Sequence, residues 1–72
     1  MADNSDVSSA DDEWEASKTS LIRRLKRVEG QVRGLQAMIE RDAECEKIAV
    51  QMSAARKALD RSFYNMLSSV IE

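Results

Sequence analysis

The sequence predicts an all-α fold: a long two-helix hairpin that closes its core by dimerising into an antiparallel four-helix bundle. Three observations carry that prediction. The 72 residues contain no proline, and both glycines, Gly30 and Gly34, fall inside one stretch of helical character. Apolar residues recur at alternating steps of three and four in two successive runs, the mark of helices with one dry face each. Charged residues make up 33% of the chain, and the runs of Val, Ile and Thr that suit strands are absent.

Taken in order, the first ten residues, MADNSDVSSA, are small, polar and acidic, and read as disordered. Charge extends this acidic leader to residue 16, so the chain divides into a leader, 1–16, and a helical-hairpin domain, 17–72. The first helix is expected to start between residues 10 and 18. Ser9 and Asp12 suit an N-terminal capping arrangement, and Asp11, Asp12 and Glu13 suit the positive end of the helix dipole. Trp14, Leu21, Leu25, Val28, Val32, Leu35 and Ile39 form its seam, with Trp14 anchoring the first turn. Gly30 and Gly34 each cost a helix about 1 kcal/mol relative to Ala. Four apart on one face, they admit close approach of another helix.

The first helix should end near Arg41, with Asp42 as N-cap of the second and Glu44 in its first turn. Cys45, Ile48, Met52, Ala55 and Leu59 then form a stripe that Phe63, Met66 and Val70 continue. This phase places Cys45, third residue of the capped helix, on the buried side. Each helix would run about 40 Å at 1.5 Å per residue. Two helices with one apolar stripe each cannot enclose a core, so a second hairpin is required, most simply across a two-fold axis.

The net charge of −2 conceals a segregation. Residues 1–16 carry −6, residues 17–34 carry +5 through Lys18, Arg23, Arg24, Lys26, Arg27 and Arg33 against Glu29, and the remainder carries −1. A basic block of this kind favours a polyanionic partner, or serves as a solvated face balanced by the leader. Arg23, Lys26, Arg27 and Arg33 spread over the half-turn opposite the seam, and Arg24 lies at its margin. Trp14, Phe63 and Tyr64 are the only aromatics. That scarcity disfavours a single-strand binder, which stacks bases, and favours a surface reading the phosphates of duplex DNA.

Several classes are disfavoured. No apolar run approaches the roughly 18 residues of a membrane span, and no signal peptide is visible at the acidic N-terminus. One cysteine excludes an intrachain disulfide framework and suits a reducing compartment, so the expected address is the cytoplasm. With no histidine, no nucleophile–base pair and no phosphate loop, the chain does not read as an enzyme.

The run SLIRRLKRVEGQVRGLQAMIERDAECEKIAVQMSAARKALDR, Ser20–Arg61, closely resembles the CsoR/RcnR/FrmR family of bacterial repressors. The pieces that carry the likeness are RLKRVEGQVRG, the cysteine in DAEC and QMSAARKALDR; the likeness covers Ser17 to about Glu72. DAEC looks most like the formaldehyde-responsive branch. The resemblance implies an all-helical homodimer or tetramer without a helix-turn-helix, which lays a basic bundle face on double-stranded operator DNA until an effector releases it. It implies Arg24 and Arg61 as the main DNA-contacting pair; Lys26, Arg27 and Arg33 join them on charge alone.

The effector site departs from the family. Metal-sensing relatives use the cysteine matching Cys45, a histidine 25 residues later, and a further cysteine or histidine four beyond. Here the second position is Val70, and there is no histidine in the chain. The formaldehyde branch uses an N-terminal proline and the sulfur-responsive branch two cysteines, and the family's third helix has no counterpart in these residues. No cofactor is expected beyond residual transition-metal binding. Cys45 therefore reads three ways: a thiol sensing an electrophile or oxidant, an inert packing residue, or a residual metal ligand. The function implied is a repressor derepressed at or near Cys45; the alternative is a non-DNA-binding dimerisation module that modulates a full-length relative. The acidic leader reads as a solubilising tail or, alternatively, as a DNA mimic over the basic face.

Overall fold

The computed structural model describes the backbone of residues 2–70 and the side chains of residues 13–70. It is a hairpin of two antiparallel helices, α1 (Ala2–Glu40) and α2 (Cys45–Val70), in a slab of 61 × 17 × 9 Å. Among the described residues there is no strand.

α1 begins earlier than expected. It is one unbroken helix of 39 residues, against 26 in α2, so the acidic segment continues the helix axis rather than preceding it. The expected start between residues 10 and 18 gives way to helix from Ala2 onward. No proline or glycine interrupts residues 2–29, and carboxylates near an N-terminus lie at the positive end of the helix dipole. The side chains of Ser9 and Asp12, expected to cap, lie outside the described residues. Trp14 is half-buried well inside α1, not in its first turn.

The turn also differs from expectation. Asp42 adopts a left-handed backbone, φ 58°. Its N–H donates to the Ile39 carbonyl at 3.1 Å, and the N–H of Ala43 donates to the Met38 carbonyl at 2.9 Å. That pair of bonds is a Schellman motif, which satisfies carbonyls left over at the end of α1. The apolar contact that accompanies such motifs fits Met38 and Ala43, both half-buried. Asp42 therefore closes α1 instead of capping α2. Aspartate suits both positions, because its short polar side chain tolerates the left-handed region. α2 starts at Cys45, its first residue rather than its third, and the N–H of Ile48 donates to the Glu44 carbonyl at 3.0 Å.

The single seam expected on each helix splits in two. Trp14, Leu21, Val28 and Leu35 recur every seven residues; Leu21, Val28 and Leu35 face α2, with Val28 at 8% and Leu35 at 7% exposure, and Trp14 is half-buried. Against them lie Ile48, Ala55 and Ser62, the last only 2% exposed and donating its hydroxyl to the Ala58 carbonyl at 3.1 Å. The second repeat, Leu25, Val32 and Ile39, is turned aside and exposed, Ile39 at 54%. On α2 the exposed set is Met52, Leu59, Phe63 and Val70. Helix geometry explains the split for Leu25, Val32, Ile39, Met52 and Leu59: each is four beyond a seam position and rotated about 40° from it, enough to leave the contact between two helices. Phe63 instead is one beyond Ser62 and about 100° away, and Met66 stays half-buried. The slab thus buries one narrow apolar strip and leaves a broader one open along one side. Cys45 lies in this open strip, seven residues before Met52, and is exposed. This strip is the part of the expected stripe that a second hairpin would have to cover.

Candidate nucleic-acid interface

The two helices present opposite chemistry on their two broad sides. Ser20, Arg27 and Gly34 on α1, and Lys47, Ala54, Arg61 and Ser68 on α2, recur every seven residues and flank the seam on the side away from Leu25, Val32 and Ile39. All seven are exposed and none is acidic; Glu13, one repeat before Ser20 and also exposed, is the acidic member at the open end. In an antiparallel helix pair these positions adjoin one another, so the bases of both helices share one face.

Three arginines meet there. Arg24 and Arg27 from α1 and Arg61 from α2 line one cleft of about 180 Å³, together with Gln31 and Ala58. An adjoining cleft of about 170 Å³ lies among Ser20, Arg23, Arg24 and Arg27. Neither is lined by a carboxylate among the described residues. Among the described residues no ion pair engages Arg24, Arg27 or Arg61, whereas Arg33 is bridged to Glu29 at 3.5 Å. Like charges gathered without a counter-ion raise the local positive potential and offer unpaired guanidinium forks to an anion. Gln31 adds a buried side-chain oxygen that accepts no hydrogen bond from the described residues.

The structure therefore brings together Arg24, Arg27 and Arg61 of the expected set. Lys26 and Arg33 are exposed, line neither cleft, and lie on the outer side of α1. Arg23, at the rim of the second cleft, belongs to the assembly more closely than either. Sequence reasoning placed Arg23 on the basic half-turn but did not single it out; its spacing of four from Arg27 was the available signal. Gly30 and Gly34 have open space above them: a Cβ built at either meets nothing within 4 Å. Within the hairpin no helix approaches them.

The model of the family described as metal-sensitive transcriptional repressor matches residues 17–72. The chain belongs to this family. Among its curated relatives, the copper-sensing transcriptional repressor CsoR of Bacillus subtilis (strain 168) is 46% identical over 50 residues, covering 69% of this chain and 50% of its own. The copper-sensing transcriptional repressor RicR of Mycobacterium tuberculosis (strain ATCC 25618 / H37Rv) is also 46% identical over 50 residues, covering 69% of this chain and 52% of its own. The copper-sensing transcriptional repressor CsoR of Mycobacterium bovis (strain BCG / Pasteur 1173P2) is 37% identical over 60 residues, covering 83% and 50%. The chain spans about half the length of the curated relatives it matches. No solved structure gives a significant match. The metal-sensitive repressor family is one of regulators, not of enzymes.

The metal implied by that family meets a poor donor set in these residues. Soft ions such as Cu(I) take several sulfur or nitrogen ligands. Among the described residues no group of three or more His, Cys, Asp or Glu side chains could hold an ion. The one thiol, on Cys45, is exposed, and the chain has no histidine. The residues present do not fit a copper site of this kind.

Proposed function

We propose that this member of the metal-sensitive repressor family is a transcriptional repressor that binds duplex DNA through Arg24, Arg27 and Arg61. The observation that carries the reading is the convergence of these three guanidinium groups, from two helices, in one cleft that no carboxylate among the described residues lines. Guanidinium forks match phosphate oxygens in pairs, and a rigid two-helix platform holds them at fixed separation. Lys26 and Arg33, on the outer side of α1, add to the general attraction for DNA more than to the contact itself.

The repressor acts as a homodimer. The open apolar strip of Leu25, Val32, Ile39, Met52, Leu59 and Phe63 requires cover, and a second copy supplies the same strip in reverse, forming a four-helix bundle. Release follows chemistry at Cys45, whose thiol is exposed in the single hairpin, within the strip a second copy covers. This thiol would react with an electrophile such as formaldehyde, a persulfide or an oxidant as the pair opens. Its position in the dimer strip gives a modification there a direct route to the bundle.

The test is binding of the full chain to duplex DNA from its own promoter region over a series of salt concentrations. Affinity should fall steeply with salt, and Arg24→Ala and Arg61→Ala should each lower the slope by about one phosphate while helicity is kept. Unchanged binding by both variants would remove these arginines from the interface. A folded dimer that binds no such DNA would establish instead a dimerisation module working through the apolar strip alone.

A further inference from the structure

Beyond the arginine cleft, towards the open end of the hairpin, lies a third and larger cavity of about 230 Å³. Among the described residues its polar lining is Ser17, Ser20, Arg24, Asn65, Ser68 and Ser69, with no carboxylate. Arg24 lines all three cavities, so they adjoin as one groove along the basic side of the slab. Four hydroxyls, an amide and a guanidinium around one opening form a set rich in donors.

The hydrogen bonds show which of these donors are free. Ser17 Oγ and Ser69 Oγ lie 2.6 Å apart, and Ser69 Oγ donates to the Asn65 carbonyl at 3.1 Å. Those two hydroxyls are thus engaged across and along the helices. The Ser20 and Ser68 hydroxyls, the Asn65 side-chain amide and the Arg24 guanidinium make no hydrogen bond or ion pair among the described residues. Ser20 comes from α1 and Ser68 and Asn65 from α2, and all three are exposed. Unpaired neutral donors beside an unpaired guanidinium, in a concave setting whose described lining holds no carboxylate, form a receptor for a tetrahedral oxyanion.

The geometry points to this cavity as a phosphate-anchoring subsite of the DNA interface, in which Ser20, Ser68 and Asn65 hydrogen-bond a backbone phosphate that Arg24 pairs with electrostatically. The inference rests on the DNA-binding reading and extends it by one turn or more of each helix past the arginines. It makes Arg24 a bridge between two neighbouring anion positions. Neutral donors to phosphate position a protein on the duplex without reading its sequence.

The test separates this subsite from the arginine cleft by salt dependence. Neutral donors neutralise no phosphate and release no counter-ions, so their removal lowers affinity without changing the salt slope, whereas loss of an arginine changes both. Expected for Ser20→Ala/Ser68→Ala is about a three- to tenfold loss of affinity, equal on promoter and unrelated duplex, with slope unchanged, the size set by two modest hydrogen bonds. Ser68→Asp, which sets a carboxylate in the opening, should cost at least about tenfold, and circular dichroism should show the same helix content in all three proteins. Titration of the wild type with inorganic phosphate, followed by NMR, should shift the amides of Ser20, Asn65 and Ser68 before those of the outer side of α1. Wild-type affinity in both variants, alongside normal DNA binding by the parent, would overturn the subsite and leave the arginine reading standing. A parent chain that binds no DNA would overturn both.

Discussion

Ser17 Oγ and Ser69 Oγ meet at 2.6 Å across the open end of the hairpin, 52 residues apart in the chain. Since Ser69 gives its one proton to the Asn65 carbonyl, Ser17 is the donor of the pair. Together with the Schellman turn at the other end, this bond pins α2 against α1 at two widely separated points. Ser17→Ala and Ser69→Ala should each cost about 1 kcal/mol, and the double variant less than their sum, because the pair shares one interaction. Urea unfolding of the three variants at one protein concentration measures it.

The turn offers a change in the opposite direction. Asp42 holds a left-handed backbone that glycine adopts without steric cost. Asp42→Gly should stabilise the protein by about 0.5–1 kcal/mol, the relieved strain being partly offset by a looser unfolded chain. A β-branched replacement, Asp42→Val, should destabilise by about 1–2 kcal/mol. Denaturation midpoints decide the sign. A loss on introducing glycine would mean that the Asp42 side chain itself is essential to the turn.

The open apolar strip sets the third expectation. Among the described residues only Val28, Leu35 and Ala55 are buried apolar side chains, too small a core for a chain of this size to stand alone. Unfolding should therefore depend on protein concentration. Leu59→Glu, which puts a charge in the strip at a residue 49% exposed in the single hairpin, should abolish the dimer in sedimentation and lower the unfolding temperature. A folded monomer at micromolar concentration with wild-type stability would overturn the bundle.

Cys45 carries the fourth. Cu(I), Ni(II) and Zn(II) should bind this chain weakly and leave its DNA complex intact, since the described residues hold no multi-donor cluster. Formaldehyde, a persulfide donor or peroxide should release DNA from the wild type and not from Cys45→Ser. Stoichiometric metal binding that dissociates the complex would reverse this reading. Identical responses of the two proteins to every thiol reagent would leave the cysteine without a sensing role.

The hairpin itself was legible in the residues, because strict steps of three and four and the absence of proline admit little else. Which apolar residues face which partner was not. Leu21 and Leu25 are equally hydrophobic and both in phase with one stripe, yet one faces α2 and the other faces out. Periodicity gives the direction of a dry face but not how many neighbours share it. Asp42 was misplaced for a different reason: aspartate serves a helix start and a left-handed helix end equally well, and only the backbone angle separates them. Of the expected contact residues, Arg24, Arg27 and Arg61 converge because α2 returns antiparallel, which sets position 61 beside positions 24 and 27. Lys26 and Arg33 belong to the same charge block in sequence but to another side of the helix in space.

The opposition of the two broad sides has a consequence for valence. In a two-fold pair that hides both apolar strips, the two basic faces look outward in opposite directions, separated by two helix layers, or about 20 Å. One bundle then carries two identical docking faces that no single straight duplex can touch at once. Saturation should then require two duplex segments per dimer, and a dimer holding one segment keeps a vacant face with which to draw a second stretch of DNA alongside.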